Sequence, residues 1–239
     1  MNDIKIIYED DDILVLDKPS GITVNNSDTT KNEKTLQDFA EEKLNIQKSK
    51  PVGAESADFY DRSGIVHRID KETSGILLVA KNKESFENLQ LQFKERKVDK
   101  AYIALVHGHV DSLEGQIAVP VGRLPWNRKR FGVLIGGREA ITFYKVLEKL
   151  EKPFTLLELI PKTGRTHQIR VHLQYFNHPI FGDFLYAGRK TSRQDRKILE
   201  RFFLHAQKIN FYHPRTGERV GFESKLPPEL ENALDYLKH

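Results

Sequence analysis

Asp70 lies in a polar segment that is followed by an apolar stretch of the chain. The segment reads His67-Arg-Ile-Asp-Lys-Glu-Thr-Ser-Gly75, and the apolar run Ile76–Ala80 comes next. A carboxylate in such a loop, with a cation two residues before it, can act as a nucleophile or as a general base. The Thr-Ser-Gly that follows holds a loop tightly through side-chain hydrogen bonds to the backbone and through permissive dihedral angles. An ordinary aspartate turn has the same composition, so these residues alone leave both interpretations open.

A second polar segment, Lys162–Leu173, combines basic residues with a helical pattern. On a helix, His167, Arg170 and Gln174 follow i, i+3, i+7 spacing and form one polar edge beside an apolar stripe. An arginine on a rigid helix can keep a nearby carboxylate ionised, because an adjacent opposite charge lowers a carboxyl pKa by about 1–3. A solvated helix face has the same spacing and is the alternative interpretation.

The composition excludes several classes of site. The 239 residues include no cysteine, which removes disulfides, thiolate zinc sites, iron–sulfur clusters and cysteine nucleophiles. A metal site from His167, His172 and His178 is disfavoured, because the first two fall on different helix faces and no H-E-x-x-H pattern accompanies them. The sequence also has no glycine-rich phosphate loop. We therefore expect no metal and no cofactor.

Length and hydropathy are those of a water-soluble globular protein. With 38% hydrophobic residues the chain can bury a sizeable core, and its apolar runs are too short to span a bilayer. Met1-Asn-Asp3 leads directly into a strand-like pattern, without the basic and apolar regions of a signal peptide. We expect a cytoplasmic protein with no membrane partner, and a monomer.

Positive charge is concentrated in three clusters, although the formal net charge is only +4. The first cluster contains an indole, and this mixture suits a phosphate backbone with unpaired bases nearby. Solvated loops and helix ends are the alternative interpretation. The clusters are Arg123, Trp126, Arg128, Lys129 and Arg130; Arg189, Lys190, Arg193, Arg196, Lys197 and Arg201; and Lys94, Arg96, Lys97 and Lys100.

Short periodic segments predict an α+β fold. Strand-like segments dominate and do not alternate regularly with helical ones, which disfavours a doubly wound parallel sheet. We expect a mixed, largely antiparallel β-sheet flanked by helices, with residues 45–64 as a surface loop. No linker divides the chain, so residues 1–239 are expected to form a single domain. The predicted strands are residues 4–8, 13–16, 76–80, 101–107, 141–147, 154–160, 202–211 and 219–222, and the predicted helices are residues 36–44, the segment after Asn82, residues 166–176 and the segment from Pro227.

The two polar segments resemble the signature motifs of the RluA-type pseudouridine synthases. His67-Arg-Ile-Asp-x-x-Thr-Ser-Gly75 is similar to the catalytic signature, with Ile69 where leucine is common. Gly164-Arg-Thr-His-Gln-Ile-Arg-Val-His172 is similar to the second signature. Four further blocks occur in the order of the family, and the resemblance runs from about Ile6 to Lys225. These blocks are Lys18-Pro-Ser-Gly21, Lys100-Ala-Tyr102, His178-Pro-Ile-Phe-Gly-Asp183 and Leu204-His-Ala206.

The resemblance implies an isomerase that converts uridine to pseudouridine in structured RNA, with ribosomal RNA favoured over transfer RNA. It implies that Asp70 is the nucleophile, and that Arg170 pairs with Asp70 and keeps it anionic. It implies that Tyr102 stacks on the target base, and it leaves open a second role for Tyr102 as proton acceptor at the ribose. Three routes stay open for Asp70: attack on the ribose anomeric carbon, attack on carbon 6 of the base, or assistance of elimination to a glycal.

The resemblance also implies residues that bind RNA or the flipped base. Leu204 would contact the base, and Arg68 would fill the space that the flipped uridine leaves. Many relatives carry a small RNA-binding module before the catalytic domain. Because the first matching block begins at about Ile6, we expect the catalytic domain without that module. The full set of predicted RNA- or base-binding residues is Arg68, Leu204, His67, Arg165, His167, Arg123, Arg128, Lys129 and Arg130.

An RNA-binding protein without activity and a glycoside hydrolase are the two alternative classes of protein. An RNA-binding protein without activity would need a broken site, whereas Asp70, Tyr102 and Arg170 are all present. A glycoside hydrolase needs two carboxylates that flank one bond, and Glu72 lies close enough in sequence to be the second. The basic clusters, and an arginine rather than an acid as the expected partner, favour the synthase.

Overall fold

The computed structural model describes residues 4–27, 30, 33–46, 57–127 and 130–239. The chain forms two compact units. The first unit contains the described residues up to Asp99 together with residues 208–224. The second contains the described residues from 100 to 207 together with residues 225–239. The expectation of a single domain over residues 1–239 stays a prediction.

The described residues form eleven strands and six helices. The strands are β1 (Lys5–Glu9), β2 (Ile13–Lys18), β3 (Ser74–Ala80), β4 (Asp99–His107), β5 (Glu114–Ala118), β6 (Val121–Arg123), β7 (Phe131–Val133), β8 (Ile141–Lys149), β9 (Phe154–Pro161), β10 (Leu204–Tyr212) and β11 (Arg219–Glu223). The helices are α1 (Leu36–Leu44), α2 (Ala57–Asp61), α3 (Lys83–Lys94), α4 (Gln168–Tyr175), α5 (Arg189–Asp195) and α6 (Pro228–Lys238).

In the first unit the strands follow the order β1-β2-β3-β10, and β11 pairs with β10. The β1–β2, β2–β3 and β10–β11 pairs are antiparallel, and Lys18 at the end of β2 lies opposite Gly75. All seven residues of β3 are buried. A strand buried on both faces reads as a continuous apolar run, as Ile76–Ala80 does in the sequence.

Helix α3 begins where the sequence predicts, because the side chain of Asn82 accepts the Ser85 N–H at 2.9 Å. Its side chains Phe86 and Leu89 are buried in one apolar cluster with residues of β2, β3 and β10. Burial of the apolar face rather than helix propensity accounts for most of the stability of such a helix.

The interpretation of residues 45–64 as a surface loop is wrong for its described end. Residues 57–61 form α2, and Phe59 is buried with its ring centroid 5.7 Å from that of Phe86. Gly64 has a φ of +75°, and a Cβ there would lie 2.1 Å from the Ala80 carbonyl oxygen. A five-residue helix with one apolar anchor is too short to show a period, which explains the error. Residues 47–56 lie outside the described part of the chain.

In the second unit the order of the strands is β10-β4-β9-β8-β5. The β4–β9, β8–β9 and β5–β8 pairs are antiparallel, and β6 and β7 form a separate two-stranded ribbon. Helix α6 buries Leu230, Leu234 and Leu237, the leucines that the sequence assigns to its apolar face. The predicted α+β fold with a largely antiparallel sheet is confirmed.

Five elements are absent from the prediction, namely α2, α5 and β5 to β7. The ribbon strands have three residues each, and α5 has the sequence Arg-Lys-Thr-Ser-Arg-Gln-Asp without an apolar stripe. Sequence periodicity cannot identify elements of this kind, because they form through contacts with the rest of the fold.

A polar cluster in the first unit joins the loop before β2 to the end of β10. Asp10, Asp12 and His213 offer ligand atoms within 4.8 Å of one another. Hydrogen bonds within the protein already occupy these atoms: Asp10 accepts the N–H groups of Asp12 and Ile13 at 2.8 Å and His213 Nε2–H at 2.9 Å. Arg215 Nε binds Asp12 at 2.6 Å. The hydrogen bonds and the ion pair of this cluster therefore stabilise the fold through contacts within the protein.

Asp10→Asn is expected to remove a stabilisation of the fold that wild type itself loses at acid pH. Although burial alone raises the pKa of Asp10, the N–H groups of Ile13 and Asp12 and the His213 ring lower it to about 2. A depressed carboxyl pKa stabilises the fold above the unfolded value near 3.9 and ceases to do so as pH falls through about 2. In urea unfolding, the difference between wild type and Asp10→Asn should therefore shrink from about pH 4 to pH 2. A difference independent of pH would contradict this assignment.

Candidate active site

In the first unit, Asp70 lies at a turn with a defined backbone geometry. The Thr73 N–H donates to the Asp70 carbonyl at 3.1 Å, and the Gly21 N–H donates to the Lys71 carbonyl at 2.9 Å. Thr73 is buried, Asp70 is half-buried and Arg68 is exposed. The turn therefore holds the Asp70 backbone while its side chain remains partly accessible.

Lys18 stabilises this turn through hydrogen bonds from its buried side chain. Its side chain is fully buried, and Nζ donates to the carbonyls of Pro19 and Ile22 at 2.9 Å and of Lys71 at 3.0 Å. A buried ammonium group is tolerated only when its hydrogen bonds are satisfied. Ser20 Oγ adds a bond to the Glu72 carbonyl at 3.0 Å. The block Lys18-Pro-Ser-Gly21 thus positions the loop of Asp70, a role that the sequence analysis did not assign.

His67, predicted to bind RNA, has contacts inside the first unit. Its Nε2 accepts the Leu78 N–H at 2.9 Å, which places the ring proton on Nδ1 when the imidazole is neutral. Its ring stacks on Phe93 with a centroid distance of 4.9 Å. These contacts give His67 a part in the fold, and its binding of RNA stays a prediction.

In the second unit, Arg170 on α4 is buried and held by a carboxylate. Its Nε and Nη2 donate to Asp183 at 2.7 and 2.9 Å, and its guanidinium lies 4.9 Å from the Tyr186 ring and 4.4 Å from the Phe202 ring. The expected polar edge is wrong, because Arg170 is buried whereas Gln174 is exposed. The predicted pairing of Arg170 with Asp70 stays a prediction.

Asp183 is the site residue that the sequence analysis missed. It is fully buried, and besides Arg170 it accepts the N–H groups of Leu185 at 3.0 Å and Tyr186 at 3.2 Å. A bidentate bond to a carboxylate fixes the plane and direction of a guanidinium. In the sequence, the signal for Asp183 is its place in the block His178–Asp183, which resembles a motif of the family.

His167 precedes α4 in a left-handed conformation, with a φ of +55°. Its Nδ1 lies 2.9 Å from the Tyr186 hydroxyl, which also accepts the Phe131 N–H at 3.1 Å. Burial raises the pKa of Tyr186, so the hydroxyl keeps its proton and can donate it to Nδ1. The two predicted residues His167 and Arg170 therefore meet at one tyrosine.

A network of neutral groups supports the start of α4. The Gln168 amide donates to the Ile141 carbonyl and to Thr142 Oγ1, both at 3.0 Å. His172 is fully buried, its Nε2 donates to the Val119 carbonyl at 3.1 Å, and its Nδ1 lies 2.9 Å from Thr142 Oγ1. Burial lowers the pKa of His172 and favours the neutral ring. Both ring nitrogens of His172 therefore have protein partners.

Three further predicted residues lie in the second unit. Tyr102 on β4 and Leu204 at the start of β10 are buried, and Tyr102 pairs with Leu159 on β9. Arg165 is half-buried, and its Nε donates to the Glu139 carbonyl at 3.1 Å. Strands thus supply Tyr102 and Leu204, whereas the loop before α4 supplies Arg165.

Some of the clustered cations point inward. Arg196 Nε donates to the Gly182 carbonyl at 2.9 Å, and the buried Arg201 donates to the Leu204 carbonyl at 2.7 Å. The interpretation as part of a basic RNA surface is therefore wrong for the buried Arg201, whereas for the half-buried Arg196 it stays a prediction. The exposed cations on and after α5 are Arg189, Lys190, Arg193 and Lys197.

The described residues of the first basic cluster lie at the end of β6 and between β6 and β7. Arg123 is exposed and lies 4.9 Å from the Phe131 ring centroid, and Trp126 is 76% exposed. The predicted contacts Arg128 and Lys129 lie outside the described residues. The combination of an exposed arginine and an exposed indole suits single-stranded nucleic acid.

Comparisons with known proteins identify the family. The model for RNA pseudouridylate synthases matches residues 12–175. The chain is 40% identical over 240 residues to a protein of Aquifex aeolicus named "Uncharacterized RNA pseudouridine synthase", with coverage of 98% of this chain and 73% of that protein. It is 38% identical to ribosomal large subunit pseudouridine synthase C of Vibrio cholerae, with coverage of 98% and 69%. It is 36% identical to ribosomal large subunit pseudouridine synthase D of Nitrosomonas europaea, with coverage of 99% and 66%.

A solved structure agrees with these matches. Human RNA pseudouridylate synthase domain containing 1 superposes with a TM-score of 0.73 at 28% identity, covering 97% of this chain and 87% of that chain. The fold is therefore that of the pseudouridine synthases. The chain belongs to the RNA pseudouridylate synthase family, and it is an isomerase that acts on RNA. This finding confirms the resemblance and overturns the glycoside hydrolase alternative.

In the part of the chain that is described, no helix is long and apolar enough to cross a membrane.

Proposed function

We propose that this synthase isomerises uridines of large-subunit ribosomal RNA, with Asp70 as its nucleophile. The ribosomal substrate is supported by the names of the relatives from Vibrio cholerae and Nitrosomonas europaea. The observation that carries the role of Asp70 is its half-buried place on a turn that Lys18 and Thr73 hold. A nucleophile fixed in this way loses little freedom when it attacks.

The reaction rearranges bonds within one nucleotide. The bond between the ribose anomeric carbon and N1 breaks, the uracil rotates, and the anomeric carbon bonds to carbon 5. The proton on carbon 5 then leaves and N1 takes up a proton, so substrate and product are isomers. Asp70 takes part by attack on the anomeric carbon, by attack on carbon 6 or by assistance of elimination, and each route needs the carboxylate form.

Arg170 and Tyr102 complete the proposed chemistry. Arg170 is rigid because Asp183 and two aromatic rings hold it, so it supplies a directed positive charge at the reacting uridine. Tyr102 stacks on the uracil after the nucleotide leaves its stack, and Leu204 supplies an apolar contact for the same ring. Arg68, which is exposed, occupies the space left in the RNA.

Exposed cations provide most of the affinity for RNA in this proposal. A plot of log affinity against log salt concentration falls with a slope of about 0.7–0.9 for each phosphate that these cations neutralise. The described cations that qualify are Arg123, Arg189, Lys190, Arg193 and Lys197.

Mapping of pseudouridine in total RNA from cells with and without the gene tests the proposed function. One or more pseudouridines of large-subunit ribosomal RNA should disappear without the gene and return with the wild-type gene but not with Asp70→Asn. Purified protein should form the same pseudouridines on a transcript of that RNA. Loss of pseudouridine from transfer RNA alone would overturn the ribosomal assignment, and full activity of Asp70→Asn would overturn the role of Asp70.

A further inference from the structure

Arg130 carries a buried hydrogen-bond donor that the protein does not satisfy. Among the described residues, its Nε is the one buried side-chain nitrogen or oxygen without a hydrogen-bond partner. Native proteins satisfy nearly all buried polar groups, so each exception calls for an explanation. A donor on a charged group is the costliest kind to leave without a partner.

The surroundings of Arg130 are rich in positive charge. Its guanidinium lies 5.3 Å from the centroid of the Tyr186 ring, and the guanidinium of Arg170 lies 4.9 Å from the same centroid. The Tyr186 hydroxyl contacts Nδ1 of His167, at the start of α4. The N-terminal end of a helix adds a partial positive charge there. Two guanidinium groups and a helix N-terminus therefore meet around one tyrosine.

The carboxylate of this cluster does not neutralise Arg130. Asp183 binds two N–H groups of Arg170 and two backbone N–H groups. No ion pair joins Arg130 to an acidic side chain within the described residues. The ring of Tyr186 offers a face to a cation but no acceptor with the geometry of a carboxylate. The cluster as a whole thus has an excess of positive charge beside Arg170.

We propose that Arg130 binds one phosphate of the RNA strand, at the nucleotide that Arg170 contacts during the reaction. This inference rests on the proposed function, and it assigns a substrate phosphate to a particular side chain. A guanidinium fork matches two phosphate oxygens, and such charge-assisted bonds are strong when the site excludes water. Arg130 then differs from the exposed cations, because it positions the reacting nucleotide and does not only add affinity.

The decisive experiment combines a protein variant with a modified RNA. Single-turnover rates at saturating protein are measured on a short RNA that contains the mapped uridine, with wild type, Arg130→Gln and the control Arg193→Gln. The RNA carries either natural phosphates or one neutral methylphosphonate, placed in turn on the 5′ and the 3′ side of the target uridine. Thermal unfolding of each variant checks that it is folded.

Arg130→Gln should lower the rate on natural RNA by about tenfold or more, the effect of one lost charge-assisted hydrogen bond. At one of the two positions, the methylphosphonate should lower the wild-type rate by a similar factor. The same methylphosphonate should not lower the rate of Arg130→Gln any further. Arg193→Gln should remain sensitive to that same methylphosphonate. A rate for folded Arg130→Gln within twofold of wild type, or additive losses at both positions, would overturn the proposal.

A second measurement does not depend on synthase activity. The Arg130 Nε–H resonance, assigned by its absence from Arg130→Gln, should shift on addition of inorganic phosphate and not on addition of chloride at equal ionic strength. If wild type isomerises no uridine while this shift occurs, the proposed function fails and the anion site stands. If wild type is active but neither phosphate nor the methylphosphonate affects Arg130, the anion site fails and the function stands.

Discussion

Asp70→Asn is expected to abolish isomerisation while leaving the fold and the affinity for RNA nearly unchanged. Asparagine keeps the shape of the side chain but removes the negative charge and the nucleophilic oxygen pair. The backbone bonds that form the turn involve the Asp70 carbonyl and the Lys71 carbonyl, not the carboxylate, so the turn should persist. We expect the single-turnover rate to fall by at least about 10²-fold, the lower range for loss of a group that acts on bonds in the reaction.

Glu72→Gln is the matched control for this experiment. It removes one carboxylate from the same turn, where the Glu72 backbone carbonyl accepts Ser20 Oγ and would continue to do so. Glu72→Gln should keep a rate close to that of wild type. If Asp70→Asn retained a tenth of the wild-type rate, or if the two variants lost activity equally, the assignment of Asp70 as nucleophile would be wrong.

Arg170→Lys is expected to lower both stability and rate, although it keeps the charge. Arg170 binds Asp183 through Nε and Nη2 in a bidentate arrangement, and its guanidinium also contacts the rings of Tyr186 and Phe202. An ammonium group is a point charge that cannot reproduce the fork or stack in the same way. Loss of one charge-assisted bond to a buried carboxylate should lower the free energy of unfolding by about 1.5–3 kcal/mol.

Urea unfolding and single-turnover rates measure the two effects of Arg170→Lys separately. We expect the rate loss to persist at temperatures where the variant is fully folded, because the directed guanidinium is lost in the folded state. Asp183→Asn should weaken the same Arg170–Asp183 pair. The double variant should therefore lose less stability than the sum of the two single losses. Arg193→Lys, on the exposed face of α5, should change stability by less than about 0.5 kcal/mol. Normal turnover of Arg170→Lys would show that Arg170 has only a structural role.

Local patterns in the sequence predict the elements that carry their own signals. Asn82 caps α3 as its side-chain chemistry requires, and the unbroken apolar run Ile76–Ala80 forms the buried strand β3. Such signals act within a few residues, so they do not depend on distant parts of the chain. The five-residue α2 and the polar α5 lack these signals, because packing against distant residues stabilises them.

The candidate site divides in the same way. The segments around Asp70 and Arg170 sufficed to identify the family through their resemblance to its two signature motifs, because a signature is a pattern of residue identities within a short stretch of chain. The groups that hold the Asp70 turn and the Arg170 side chain in place were not predictable in this way. Lys18 reaches the Lys71 carbonyl across 53 positions, and Asp183 binds Arg170 from the loop after α4.

By itself the sequence determined the family and the α+β class, because these depend on residue identity and short-range order. Only the tertiary structure decided which charges are used inside the protein. Arg196 and Arg201 lie in the same basic run as Arg193, yet the first two bind backbone carbonyls while Arg193 is exposed. The direction of a long side chain depends on where the folded backbone presents acceptors, and distant segments of the chain place those acceptors.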